Sequence, residues 1–159
     1  MTGIDAGQKN IEVARLHADQ SGLDIDYRHP PPEELVADGR TFDVVLNMEV
    51  IEHVADIDAF LAASCALVRP GGAMVASTLN RTLKSLALAK IGAEYVLRWL
   101  PVGTHDWRKF VRPSELAAGL KDHGVEITDL KGMTYAPIER DWRLSQNLDV
   151  NYLAFGVKR

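Results

Sequence analysis

From Phe42 to Met48 the chain is almost continuously apolar, broken chiefly by Asp43, and such a run reads as a strand covered on both faces. A helical pattern follows from Ile57 to Val68, with Asp56 placed to cap it. Pro70-Gly71-Gly72 then predicts a turn before a second apolar strand, Ala73 to Thr78. Strand, helix, strand in that order is the signature of a parallel sheet with crossover helices, so the fold class is α/β.

The stretch before it fits the same scheme. Met1 to Asp5 reads as the end of a strand, and Ile11, Ala14 and Ala18 recur at helical spacing until Ser21-Gly22 supplies a stop. Ile25 and Tyr27 alternate with polar neighbours as a short strand, which Pro30-Pro31-Pro32 must terminate. Downstream, Leu83 to Leu100 is a helical stretch interrupted by Gly92. Ser114 to His123 is another, introduced by Pro113 and ended by Gly124. Val125 to Thr134 and Val150 to Val157 read as closing strands joined by a loop-like segment, Ala136 to Asn147.

A chain of 159 residues, 47% of them hydrophobic, suits one domain with a core of its own. Its net charge of −4 argues against nucleic-acid binding, which wants a surplus of Lys and Arg on one face. Cys65 is the only cysteine, so no internal disulfide forms, and its Ala-rich helical setting predicts a small buried residue in a reducing cytosol. No signal peptide opens the sequence, and no apolar stretch reaches the roughly 20 uninterrupted residues of a membrane span.

Two places carry polar residues that suit chemistry. Asp5 stands where a strand hands over to a helix, a position from which an acidic side chain accepts hydrogen bonds from ribose hydroxyls, although an Asp there also serves simply as a helix cap. Asn47-Met48-Glu49-Val50-Ile51-Glu52-His53 follows the apolar strand. If Glu49 opens a helical turn, Glu52 and His53 lie three and four positions on, and the three side chains project from one face toward a cation such as Mg²⁺ or Zn²⁺. A solvated polar turn is the other reading of that spacing. Ligands gather at the carboxyl ends of strands in open α/β sheets, and both places lie at such ends.

Thr2-Gly3-Ile4-Asp5, Phe42-Asp43-Val44-Val45, Met48-Glu49-Val50-Ile51-Glu52-His53-Val54 and Leu67-Val68-Arg69-Pro70-Gly71-Gly72 look like the consecutive motifs of class I methyltransferases. A narrower set resembles the ubiquinone-biosynthesis O-methyltransferases. It comprises Ser77-Thr78-Leu79-Asn80-Arg81-Thr82, Gly92-Ala93-Glu94-Tyr95-Val96-Leu97-Arg98, Gly103-Thr104-His105-Asp106-Trp107, Lys109-Phe110, Pro113-Ser114-Glu115-Leu116 and Val150-Asn151-Tyr152. The resemblance spans nearly the whole chain. It implies a Rossmann-like sheet in one domain over residues 1–159, with an amphipathic helical insertion at about 81–112.

The resemblance further implies that Asp5 binds the ribose of S-adenosylmethionine, that Met48 lies against its adenosyl group, and that Glu49, Glu52 and His53 hold a divalent metal, Mg²⁺ by preference. The implied substrate is a polyprenylated phenol with a neighbouring hydroxyl, whose oxygen takes the sulfonium methyl. A neutral phenol, with a pKa of about 10, is a poor nucleophile, so a metal or a base must favour the phenolate.

The sequence departs from the family pattern in two ways. The family's glycine-rich loop, with its strand and helix, precedes the part that Thr2 to Asp5 represents and is missing here, so the resemblance implies that Met1 is not the working enzyme's start and that this piece alone is inactive. Pro31-Pro32 stands where relatives carry a small residue, and a proline offers no N–H to adenine.

On a helical wheel Lys84, Lys90, Glu94 and Arg98 crowd one side of the Leu83 to Leu100 segment and leave a wide apolar face. Four charges and a glycine favour lying on a membrane over crossing it, and a core helix or dimer contact is the plainer alternative. With the family's lipid-soluble substrate, this predicts a protein peripheral to the cytoplasmic membrane, with Arg81, Lys84, Lys90, Arg98, Arg108 and Lys109 near anionic head groups and a ubiquinone-biosynthesis complex as a partner. His105 and Asp106, beside Trp107, either line a substrate mouth or cap a turn. Two further readings stand beside the enzyme: a non-catalytic remnant that binds a membrane or partner, and a nicotinamide-binding domain, which leaves Met48 to His53 unexplained.

Overall fold

The computed structural model describes residues 1–29, 31–88, 106–136 and 139–159. They form two compact units, Met1–Thr41 and Phe42–Arg159.

The first unit is a parallel strand pair with its crossover helix. Strand β1 (Thr2–Ile4) pairs with β2 (Asp26–Arg28), and α1 (Gln8–Ser21) connects them. Helix α1 buries Ile11 and Ala18, two of the expected periodic positions, and stops at Gly22, whose φ of 63° is left-handed and costs a glycine nothing. A short helix, α2 (Pro32–Ala37), starts on Pro31 and buries Leu35. The proline run had marked only a terminator; proline also tolerates a helix's first turn, where its missing N–H has no partner to lose.

The second unit is a five-stranded sheet in the order β3 (Phe42–Met48), β4 (Val68–Leu79), β7 (Asn151–Lys158), β5 (Val125–Ala136), β6 (Asp141–Ser145). The β3/β4 pair is parallel and the other three pairs are antiparallel. Helices α3 (Ile57–Leu67) and α5 (Pro113–Asp122) pack on one face, where Leu61, Cys65, Leu116 and Leu120 meet Met74, Ala76, Val125, Tyr152 and Ala154. Asp56 caps α3 as expected, its carboxylate accepting from the Ala59 N–H at 3.0 Å, a contact worth about 1 kcal/mol. Cys65 is buried, as its setting predicted.

Three expectations for this unit need correction. Strand β4 does not wait for Ala73 but begins at Val68 and runs through Pro70-Gly71-Gly72, which the sheet absorbs as a register shift between Phe42/Val68 and Val44/Ala73. Gly72 is needed there, since a Cβ would lie 2.9 Å from the carbonyl oxygens of Arg69 and Asp43. Strand β3 is not covered on both faces: Val44, Leu46 and Met48 are exposed, because α3 and α5 share the opposite side. The segment read as a loop between the last strands contains β6, an exposed edge strand that buries too little apolar surface to announce itself.

The expected helix from Leu83 to Leu100 is described only at its start, as α4 (Leu83–Ser85), and 89–105 lie outside the described residues. No helix among the described residues is long and apolar enough to cross a membrane.

Candidate functional site

Asp5 stands just past β1, at the carboxyl end anticipated for it. Its Oδ1 accepts from the Gly7 N–H at 2.7 Å and from Asn10 Nδ2 at 3.0 Å, so the side chain braces the turn into α1. The helix-cap reading of this residue is not met, since Gly7 is the N-cap of α1 and no side chain caps that end; Asp5 ties the turn that precedes it. Among the described residues Oδ2 takes no hydrogen bond, and the side chain is exposed, which leaves one carboxylate oxygen for a ligand.

The second strand end is built differently. Beyond Met48 the chain turns sharply at Glu49, whose φ of 53° is left-handed and costs a side-chain-bearing residue about 1 kcal/mol or more. The Glu49 N–H offsets this by donating to the Ser77 carbonyl at 3.1 Å and to Ser77 Oγ at 3.0 Å. In return the Ser77 hydroxyl donates to Glu49 Oε1 at 2.7 Å. A 3-10 turn, Ile51–His53, then buries Glu52, and the Thr78 hydroxyl donates to Glu52 Oε2 at 2.7 Å. Two consecutive hydroxyls at the end of β4 thus hold two carboxyl groups at the end of β3.

Those carboxyl groups also act on each other. Desolvation of the Glu49 carboxyl raises its pKa to about 7, the Glu52 charge and a hydrogen bond with Glu52 push the same way, and the Ser77 hydroxyl pulls it down. Burial above all, and the like charge of Glu52 beside it, thus keep the Glu49 carboxyl protonated well above the usual carboxylate range.

His53 is exposed at the end of the turn, its N–H bonded to the Val50 carbonyl at 2.9 Å. Of the three side chains expected to converge, Glu49 and Glu52 meet and His53 does not complete the set. Among the described residues no three His, Cys, Asp or Glu side chains gather as a metal would require. The reason is local: a left-handed residue followed by a 3-10 turn does not give the i, i+3, i+4 alignment of an α-helix. Met48 is exposed on β3, one position before the turn. Its neighbour Asn47 is buried with Nδ2 unpartnered among the described residues.

Three contributors went unread in the sequence: Ser77, Thr78 and the amide of Asn47. Consecutive hydroxyls at the end of an apolar strand, and an amide inside one, were the available signals, since a buried polar group needs a partner.

Beyond β4 the chain is tied down by polar contacts. The Asn80 side chain donates to the Leu148 carbonyl at 2.8 Å, Thr82 caps α4, and the Trp107 indole donates to the Thr82 carbonyl at 2.8 Å. Asp106 accepts from the Arg108 N–H at 3.1 Å and so caps a turn, while His105 lies outside the described residues. Of the cations expected near head groups, Arg81 pairs with Glu115, Lys84 with Asp149 at 3.0 Å and Arg108 with Asp106 at 3.8 Å. Lys90 and Arg98 lie outside the described residues.

The methyltransferase-domain family matches residues 1–130. The chain is 58% identical over 158 residues to the ubiquinone biosynthesis O-methyltransferase of Paramagnetospirillum magneticum, a match covering 99% of this chain and 63% of that protein. It is 55% identical over 159 residues to the protein of the same name from Dinoroseobacter shibae, covering 99% of this chain and 64% of the relative. The chain thus spans less than two thirds of the length of these curated relatives. Among solved structures it resembles magnesium protoporphyrin IX methyltransferase from Synechocystis PCC 6803 with bound SAH, at a TM-score of 0.69 and 18% identity over 99% of this chain and 64% of that one. The N-methyltransferase NodS from Bradyrhizobium japonicum, in complex with S-adenosyl-l-homocysteine, gives 0.63 at 14% identity over 99% of this chain and 65% of that one. Likeness at this level shows a shared α/β fold, and the family match goes further: this chain belongs to the methyltransferase-domain family.

Proposed function

We propose that the chain is the larger part of an S-adenosylmethionine-dependent O-methyltransferase of ubiquinone biosynthesis, working as one domain with its insertion at about 81–112. The observation that carries this reading is the 58% identity, over 99% of the chain, to a relative of that name. In this reading Asp5 offers its remaining carboxylate oxygen to the cofactor ribose and Met48 packs against the adenosyl group. The substrate is a polyprenylated phenol with a neighbouring hydroxyl, reached at the cytoplasmic membrane surface with help from the segment 83–100 and other proteins of quinone synthesis.

Methyl transfer forms one bond and breaks one. A phenolate lone pair attacks the sulfonium methyl carbon in line, the carbon–sulfur bond breaks, and the sulfur keeps the electron pair as S-adenosylhomocysteine leaves. The phenolic proton must first pass to a base or to solvent water. The protein's part is to fix the approach geometry and exclude water.

A divalent cation fits this site in part. Glu49 and Glu52 would offer oxygen donors of the kind Mg²⁺ prefers, and a positive charge there would favour the ionised Glu49 carboxyl, which burial above all now disfavours. Such an ion, when bound, lowers the pKa of a coordinated phenol. His53 enters the set only if the turn rearranges, so the pair alone is assigned the role here, with His53 as an outer contributor.

The test is a chimera in which this chain replaces the matching 158 residues of the Paramagnetospirillum relative. It should methylate a prenylated catechol, lose at least about a hundredfold in kcat/KM with Glu49→Gln plus Glu52→Gln, and bind S-adenosylhomocysteine more weakly with Asp5→Ala. An inactive chimera that still binds lipid vesicles or quinone-synthesis proteins would instead make the chain a binding module.

A further inference from the structure

Among the described residues Glu49 and Arg140 are the non-glycine positions with a left-handed backbone, at φ of 53° and 55°. Arg140 lies in an exposed turn before β6. Glu49 follows β3 directly, and strain of this kind persists only where the surroundings hold it in place. One residue supplies that hold. Ser77 is 1% exposed and level with Met48 in the β3/β4 register. Its carbonyl accepts from the Glu49 N–H at 3.1 Å, its hydroxyl accepts from the same N–H at 3.0 Å, and that hydroxyl donates to Glu49 Oε1 at 2.7 Å.

The direction of these bonds follows from the chemistry of a hydroxyl, which carries one proton and two lone pairs. Because Ser77 Oγ accepts from the Glu49 amide and gives its proton to Oε1, a single atom of β4 ties both the backbone and the carboxyl of Glu49. Glu52 is held otherwise. Thr78 reaches its carboxyl at Oε2, while the 3-10 turn Ile51–His53 carries its backbone. Without the Thr78 hydroxyl Glu52 still has its turn. Without that of Ser77, Glu49 loses the bond from its amide to Oγ and the anchor of its side chain together, and the bond to the Ser77 carbonyl remains.

We propose that Ser77 is a positioning residue for the methyl transfer, acting through Glu49 and not on the reacting atoms: from the end of β4 it aims the Glu49 carboxyl. This rests on the reading of Glu49 as a member of the site. A carboxyl on a free glutamate side chain samples several rotamers, and a group fixed in advance spares the reaction that search. Ser77 holds Oε1 and so decides where the other oxygen, Oε2, is offered.

A double-mutant cycle tests this, with Ser77→Ala and Glu49→Gln alone and together in the chimera of this chain with the Paramagnetospirillum relative. Ser77→Ala alone should lower kcat at least about tenfold and leave KM for S-adenosylmethionine within about twofold. In the Glu49→Gln background it should cost no more than about twofold, because the group it aims is already lost. Ser77→Cys fills the same space with a poor donor and should behave as Ser77→Ala does, so the result stands if the smaller residue fails to fold. On the chain itself, hydrogen exchange at the Glu49 amide should quicken at least about tenfold in Ser77→Ala, while that of Val45 in the same ladder stays within about twofold. A kcat that Ser77→Ala leaves unchanged, where Glu49→Gln lowers it, overturns the proposal and leaves Glu49 in the site. So does an equal loss in both backgrounds, or equal quickening at the two amides, since each describes a looser strand pair. If Glu49→Gln leaves turnover unchanged, or the chimera is inactive, the reading of the site fails and the proposal falls with it.

Discussion

β1 and β3 each end on an acidic residue expected to serve a ligand, yet the two ends are made in opposite ways. Asp5 is braced by its own loop, through Gly7 and Asn10, a few positions along the chain. Glu49 and Glu52 are braced by Ser77 and Thr78 of the next strand, with separations of 28 and 26 residues. The first arrangement needs only a turn. The second exists only when β3 and β4 are in register, so it reports on tertiary structure.

That contrast predicts unequal costs. Thr78→Val removes the hydroxyl donor to a buried carboxylate while keeping the side chain's shape, and should destabilise the chain by about 2 kcal/mol. Urea unfolding should show a lower midpoint at an unchanged slope. A loss no greater than that of Asp5→Ala would break the comparison.

A smaller effect concerns pH. The folded-state pKa of Glu49 lies near 7, above its ordinary 4.5, so between those values the folded chain binds more protons than the unfolded one. This group's contribution therefore weakens as pH rises from about 5 to 7 and then levels off. Glu49→Gln should flatten that slope in the thermal midpoint, and an unchanged slope would mean that the folded chain does not hold the Glu49 carboxyl above its ordinary pKa.

The smallest change is expected at the locally built end. Asp5→Ala loses exposed hydrogen bonds and should cost under about 1 kcal/mol, while Asp5→Asn keeps an acceptor and should be near neutral. Chemical denaturation of the two variants side by side sharpens the contrast, because an equal loss in both would show that the charge, not the hydrogen bond, holds the turn.

The same division explains what the sequence disclosed. The α/β class, the extents of α1, α3 and α5, the Asp56 cap and the position of Asp5 all rest on period, caps and breakers within a few residues, and they were legible. The Glu49 and Glu52 pair was visible as spacing. Its geometry was not, because the left-handed residue that sets it is held by Ser77, far along the chain. The passage of β4 through Pro70-Gly71-Gly72 was hidden for a related reason: glycines that signal a turn also permit a close-packed bulge, and only the neighbouring strand decides between them. β6 carries a clear alternation but little burial, so an edge strand passed for a loop.

The bond from the Trp107 indole to the Thr82 carbonyl has an evolutionary consequence. It fastens two points 25 residues apart in sequence, so the closure of everything between them is settled at the base and not by its contents. Sequence change between these two anchors can then accumulate with less strain passed to β4 and α5, which flank them in the chain.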